Sequence, residues 1–441
     1  MDNQNGVIYN AKELGTGRVL VLGLQHMFAM FGATVLVPKL TGLSVSATLL
    51  FAGIATLFMH LVTNRKVPVF LGSSFAFLGG YAAIAPNGEK ELLPYACVGV
   101  AAAGLVYLVL ALIIKAFGQK KVLKYFPPIV TGPIIIAIGL CLSGSAIQNC
   151  QANWIVALIA IAVVIICNIW GKGMVKIIPI LLGVVASYVV SLIIDPASRV
   201  AVTQAVNDAA WFGLPVDMRN TVFGLFSGEV DGQLIAKAII TIVPISLATM
   251  MEHVGDISAI SSTVGKNFIE DPGLHRTLIG DGVGTTIAAL FGAPANTTYG
   301  ENTGVLALTK VFDPMVIRLA AVYAIVLSFC PKFAALIEAM PTATIGGVSL
   351  ILYGMISAVG VRNVVENKID FSNTRNIIVA ALILVLAIGI KYGAGDSFMI
   401  GKLSLTGLAV ASIVGIVLNA VLAGKEGLTD EGADSANLGR F

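Results

Sequence analysis

The sequence predicts an all-α polytopic membrane protein with 14 transmembrane segments in a 7+7 inverted repeat, and two short antiparallel strands in segments 3 and 10. Three observations carry this reading. The 441 residues are 57% hydrophobic and only 12% charged, with a mean hydropathy of +0.92, whereas soluble domains carry about 25% charge. Apolar runs near the length that crosses a bilayer, about 20 residues each, recur along the chain between Gly, Pro and charge breaks. The chain also echoes itself weakly, at matching places in its two halves.

The runs fall at about 19–37, 43–62, 69–84, 92–117, 126–147, 153–170, 174–194, 234–262, 277–294, 297–312, 314–331, 341–361, 375–392 and 400–423. The third and tenth are short and crowded with small and polar residues. Gln25-His26 in the first run is followed by Ser74-Phe75-Ala76 in the third. Glu252-His253 in the eighth is followed, at nearly the same spacing, by Thr298-Tyr299-Gly300 in the tenth. Seven segments per half is an odd number, so two like halves enter the membrane from opposite sides. Paired, Gly-rich, shortened segments at matching places point to the binding site of a secondary transporter.

Non-helical backbone is tolerated at membrane depth only where it pairs with protein or lines a cavity. GSSFAF (Gly72–Phe77) and NTTYG (Asn296–Gly300) have the composition of extended chain. They are expected to pair antiparallel near the midplane. Each would feed a half-helix whose N-terminal amides point into the site.

Orientation follows from Lys and Arg. Alternate loops carry Arg65/Lys66, Lys115/Lys120/Lys121/Lys124, Lys172/Lys176, Lys266/Arg276, Lys310/Arg318 and Arg362/Lys368/Arg375. The opposite loops hold fewer, so the basic set is expected on the cytoplasmic side of the cell (inner or plasma) membrane, with both termini. The N-terminus is polar to Gly17 and shows no cleavable signal. The longest loop, about 195–233, is then external, with Trp211 and Phe212 at the interface. The five cysteines form no CxxC pair and read as small packing residues.

Two carboxylates stand where they are expensive. Glu252 lies inside the apolar stretch 242–260 and Glu301 between two others; a charge at the centre of a spanning helix costs about 2.5–3.5 kcal/mol on insertion scales. With His253, Asp256 and Asp281 close in sequence, they mark a polar site inside the membrane. HExxH, GxSxG and aspartate-rich phosphate motifs are absent, so an enzyme is not expected. A channel would spread its polar residues along a pore, and an anion exchanger would place cations here. No basic block with interleaved aromatics suggests nucleic acid. No metal or cofactor is called for.

The stretches LQHMFAMFGATVLVP (Leu24–Pro38), LGSSFAF (Leu71–Phe77), EHVGD (Glu252–Asp256), NTTYGENTGVLALTK (Asn296–Lys310) and GGVSLILYG (Gly346–Gly354) together resemble the nucleobase–ascorbate transporter family, in its uracil-permease branch. The resemblance covers about 17–423, and ENTGVLALTK fits the family signature. It implies a core domain (18–118 and 234–332) and a gate domain (119–194 and 333–424), with the external loop (195–233) between the two halves of the chain. The tails are 1–17 and 425–441, and the assembly is a homodimer in the lipid bilayer. It also implies substrate contacts from Phe75, Ala76, Glu252, Tyr299, Gly300 and Glu301, with Tyr353 from the gate side. Two positions depart from the branch: Asp256 stands where some uracil permeases have a coupling histidine, and Asp281 is typical of purine relatives.

The residue types suit a pyrimidine. Uracil offers two N–H donors, which ionised Glu252 and Glu301 accept, and two carbonyls, which backbone amides near Ala76 and Gly300 can meet. Phe75 and Tyr299 would stack on its faces. Proton symport would use one of Asp256, Asp281 or His253, or the glutamates themselves. A purine (xanthine-type) substrate, or sodium in place of the proton, is the alternative.

Overall fold

The computed structural model describes residues 7–123, 127–228, 230–400 and 403–422. In chain order come α1 (Thr16–Thr41), α2 (Val45–Val62), β1 (Leu71–Ser73), α3 (Leu78–Ile84), α4 (Leu93–Phe117), α5 (Gln119–Leu123), α6 (Pro128–Gln151) and α7 (Trp154–Trp170). The chain continues through α8 (Met174–Ile177), α9 (Pro179–Ile194), α10 (Pro196–Asp208), α11 (Gly232–Ile242), α12 (Ile245–Val264), α13 (Leu274–Leu290), β2 (Asn296–Thr298) and α14 (Gly300–Thr309). It ends with α15 (Pro314–Ser328), α16 (Pro331–Glu338), α17 (Thr342–Glu366), α18 (Thr374–Gly393), β3 (Phe398–Ile400), β4 (Leu403–Leu405) and α19 (Gly407–Val421). The expected C-terminal tail, 425–441, and Lys124 of the charge count lie outside the described residues.

The helix ends follow local chemistry. Ser44, Asn153, Asp313 and Thr406 each accept a backbone N–H of the first turn of α2, α7, α15 and α19. Proline opens α4, α6, α9, α10, α15 and α16, where its missing N–H costs nothing. Among the described residues, seven helical spans are long and apolar enough to cross a membrane, or nine if two bent pairs each count as one. Helices α7 and α19 are shorter but apolar.

The expected strand pair exists but is shorter than the 72–77 and 296–300 stretches, because the chain turns towards α3 and α14 after three paired residues. β1 pairs antiparallel with β2, Leu71 facing Thr298, Gly72 facing Thr297 and Ser73 facing Asn296. Each leads into a short helix, α3 or α14. Three expectations change. The segment expected as a plain external loop contains α10, which turns 114° from α9; Pro196 and the Asp195 cap, accepting from the Ala197 amide, start a new helix there. The eighth run is broken into α11 and α12 at Val243–Pro244, because Pro244 has no N–H for the ladder. The fourteenth run begins as the hairpin β3–β4, Phe398 facing Leu405.

Helices pack in two sets. In one, α13 lies against α4 and α2, α15 against α2 and α1, and α11 against α4. In the other, α17 lies against α6 and α7, α18 against α6 and α19, and α7 against α9. The α4–α13 crossing is close enough that a Cβ on Gly104 would stand 2.7 Å from the Gly282 carbonyl oxygen, and one on Gly282 2.7 Å from that of Gly104. Small residues let backbones touch where no hydrophobic force between helices exists in lipid. The N-terminal residues strap the helix ends: Ile8 forms a parallel bridge to Val311. The Tyr9 hydroxyl donates to the Val264 carbonyl at 2.8 Å, and the Ala11 amide to the Asp313 carboxylate at 2.7 Å.

Candidate functional site

The strand pair brings the two halves of the chain together. After β1, residues 74–77 turn into α3 and carry Phe75 and Ala76, both buried. After β2, Tyr299 precedes α14, whose first turn holds Gly300 and Glu301. A carboxylate at a helix N-terminus faces the partial positive charge of the free amides. Helix α12 adds Glu252, His253 and Asp256, with Glu252 and Asp256 one turn apart on one face. Helix α13 adds Asp281, and α17 adds Tyr353.

These groups meet in three clusters. First, the Phe75 ring meets that of Tyr353 edge-on, centroids 5.7 Å apart and planes at 76°. The Tyr353 hydroxyl and the Ser349 hydroxyl one turn before it are buried near one another without an aligned hydrogen bond. Second, the Tyr299 hydroxyl donates to the Ser73 carbonyl at 2.9 Å, and its amide to the Phe70 carbonyl at 3.1 Å. Its ring lies flush on β1: a Cβ on Gly72 would stand 2.4 Å from a ring carbon. Position 72 is glycine because that ring fills the space.

Third, His253 and Asp281, both wholly buried, approach to 2.8 Å between Nδ1 and Oδ2. His253 Nε2 lies 3.0 Å from the Thr277 hydroxyl, which itself donates to the Leu274 carbonyl. With the Thr277 hydroxyl proton used there, Nε2 is placed to donate to the Thr277 oxygen. The Thr298 hydroxyl of β2 also lies 3.2 Å from Nδ1. The pair is short, yet neither Asp281 oxygen gains an aligned hydrogen bond.

Glu252, Asp256, Asp281 and Glu301 lie close enough for Glu252 and Asp256 to sit in the field of the other carboxylates. Glu252 Oε2 is buried without a hydrogen-bond partner. Ser74 Oγ after β1, Asn296 Nδ2 and Thr297 Oγ1 of β2, His26 Nε2 of α1 and Asn302 Oδ1 of α14 are also buried and unpaired. Buried polar atoms are nearly always satisfied in native folds, so these unpaired atoms are candidates to meet a polar guest. Gly300 is exposed among buried neighbours, with nothing within 4 Å of where its Cβ would be. Gly354, beside Tyr353, is open likewise. His26 is held by Asn302, whose Nδ2 donates to the His26 carbonyl at 3.1 Å. His60 binds the Val69 carbonyl at 2.8 Å through Nε2, a packing role.

Residue-type reasoning missed Asn302, Thr277 and Thr298. Thr298 carried a usable signal: a strand that places Asn296 and Thr298 on one face points both the same way. Thr277 stands one helical turn before Asp281 and shares its face. Among the described residues no group of three His, Cys, Asp or Glu is arranged to hold a metal ion. A cavity of about 380 Å³ lies under the N-terminal strap, lined by residues including Arg18, Gln25 and Thr309. It borders the last turn of α14, about 12 Å from Glu301 at 1.5 Å rise per residue, so it is distinct from the carboxylate cluster.

Comparison with known proteins adds three findings. The family model described as the permease family matches residues 17–395. The uracil permease of Bacillus caldolyticus is 41% identical over 424 residues, covering 93% of each chain. That of Bacillus subtilis (strain 168) is 40% identical, covering 90% of this chain and 91% of its own. Among solved structures, the transmembrane domain of the cyanobacterial bicarbonate transporter BicA superposes with a TM-score of 0.59 at 14% identity, over 94% of this chain and 99% of that one. That likeness concerns the fold alone.

Proposed function

Since the chain belongs to the permease family, as a multi-pass membrane protein and not an enzyme, we propose that it imports uracil by proton symport. The observation that carries the reading is the buried, unpaired Glu252 Oε2, with Glu301 in the first turn of α14, in a chain about 40% identical to two uracil permeases. Two carboxylates accept the two ring N–H groups of uracil, and a ligand lacking one would leave a buried carboxylate unpaired. Phe75 covers one face of the ring, with Tyr353 behind it. Ala76 and Gly300 supply backbone amides at the two strand-to-helix turns. Tyr299 stays against β1 and braces the second turn.

In this reading the fourteen segments form an inverted repeat. The two helix sets act as core and gate, and they rock to open the site to each side in turn. The packing of α13 with α4 and α2, apart from that of α17 with α6 and α7, supports the division. The resemblance further implies a homodimer, and the Lys and Arg distribution puts both termini on the cytoplasmic side. Coupling rests on Asp256, with the His253–Asp281 pair as the second proton holder. A proton moved down 100 mV releases about 2.3 kcal/mol, enough for roughly fiftyfold accumulation of a neutral solute.

The test is uptake of radiolabelled uracil into proteoliposomes under an imposed pH or sodium gradient, with unlabelled xanthine as competitor. Uptake driven by pH and insensitive to xanthine is expected. Uptake driven only by sodium, or blocked by xanthine, replaces the reading with its alternative. Asp256→Asn is expected to keep uracil exchange and lose accumulation. If that variant still concentrates uracil, coupling passes to Asp281, and Asp281→Asn becomes the deciding variant.

A further inference from the structure

Away from the transport site, the segment joining α10 to α11 leaves large apolar side chains uncovered. Trp211, Phe212 and Leu214 are 76%, 74% and 83% exposed, and Phe226 is 74% exposed. In a soluble chain such a patch marks a protein interface. Here the segment is fixed beside a membrane-crossing element. The Gly213 amide donates to the Phe329 carbonyl at 3.1 Å, and the Lys332 amide to that of Ala210 at 3.0 Å. The Phe212 and Phe329 rings stack with centroids 5.9 Å apart. Phe329 caps α15, where the chain bends 88° into α16.

Cation and indole also meet at this point. Lys332 Nζ donates to the Ala209 carbonyl at 2.9 Å and stands 5.2 Å from the centre of the Trp211 ring. Helix α10, by contrast, carries Arg199, Gln204, Asn207 and Asp208, and buries only Val202 among its residues. It offers lipid little. Tryptophan beside lysine at the end of a span is the chemistry of the membrane–water boundary, where the indole sits among headgroups and the ammonium reaches phosphate.

We propose that the 210–226 segment is a lipid-anchoring surface, seating Trp211, Phe212 and Leu214 in the phospholipid headgroup layer while α10 faces water. The bend at Phe329 sets the depth, because the stacked Phe212 travels with the end of α15. The anchor fixes the connection between the two halves of the chain to the membrane surface.

The chain has three tryptophans, so Trp154→Phe with Trp170→Phe leaves Trp211 as the reporter in the full-length protein. Reconstituted in phosphatidylcholine vesicles, its emission is expected to fall roughly twofold when the acyl chains carry bromine near the headgroup, with little quenching by aqueous iodide. Quenching by iodide and not by brominated lipid would place the loop in water and overturn the proposal. Quenching by neither would mean that protein, such as a second copy of the chain, covers the patch, and would overturn it equally. If the double variant does not fold, the unaltered protein and Trp211→Phe are compared: the bromolipid-quenched fraction must drop in the variant, and an unchanged fraction rejects the anchor.

Discussion

The two strand-to-helix units, β1–α3 and β2–α14, are one backbone device with opposite side chains. Both enter as three paired residues and continue into a short helix of 7 or 10 residues. The first presents Ser74, Phe75, Ala76 and Phe77; the second presents Thr298, Tyr299, Gly300, Glu301 and Asn302. In the proposed reading the first is thus a wall, giving a ring face and backbone amides. The second carries the charge and the hydrogen bonds that tie its neighbours in place. An antiparallel pair of this kind can keep the backbone feature in both halves because only the backbone must pair. The side chains are then free to divide the work.

The largest expected effect tests the charged unit. Glu301→Gln and, from α12, Glu252→Gln are each expected to remove measurable uracil binding, since a charge-assisted hydrogen bond contributes about 1.5–3 kcal/mol and its loss strands a buried donor. Thermal-shift stabilisation by uracil that survives either change ends the assignment. Next comes the wall: Phe75→Ala should weaken binding by about 1–3 kcal/mol, the worth of stacking on a base, read by isothermal calorimetry. A loss as complete as that of Glu301→Gln would erase the division of labour, and an unchanged affinity would reduce Phe75 to packing.

Two smaller effects sharpen how the units brace each other. Gly72→Ala forces a Cβ to 2.4 Å from the Tyr299 ring and should destabilise the fold by about 1–3 kcal/mol through overpacking. The expected readout is a lower unfolding temperature in detergent, with residual binding intact. Tyr299→Phe removes one bond to the Ser73 carbonyl and should cost about 0.5–1.5 kcal/mol of stability. If it instead abolishes binding without changing the unfolding temperature, the Tyr299 hydroxyl touches substrate and the bracing role is wrong.

Much of this was legible in residue order alone. The apolar runs, their Pro and Gly breaks, and the shortened third and tenth segments are local patterns, so β1 and β2 were readable without coordinates. Glu252 and Asp256 share a helix face by spacing alone. The hairpin β3–β4 was not legible, because an apolar run of that composition suits strand or helix equally. Helix α10 was passed over because it is polar, and the hydropathy that finds spans is blind to polar helices.

Sequence by itself determined that a membrane-spanning chain carries acids in its interior and breaks two segments at matching places, since charge, glycine and hydropathy act where they stand. Only the tertiary structure decided which groups meet: His253 with Asp281, Tyr299 with Ser73, and Phe75 with Tyr353. Those pairings span 28 to 278 residues of chain, far beyond any local period. They arise from how helices pack, and that is set by small-residue contacts such as Gly104 against Gly282, which residue order does not pair in advance.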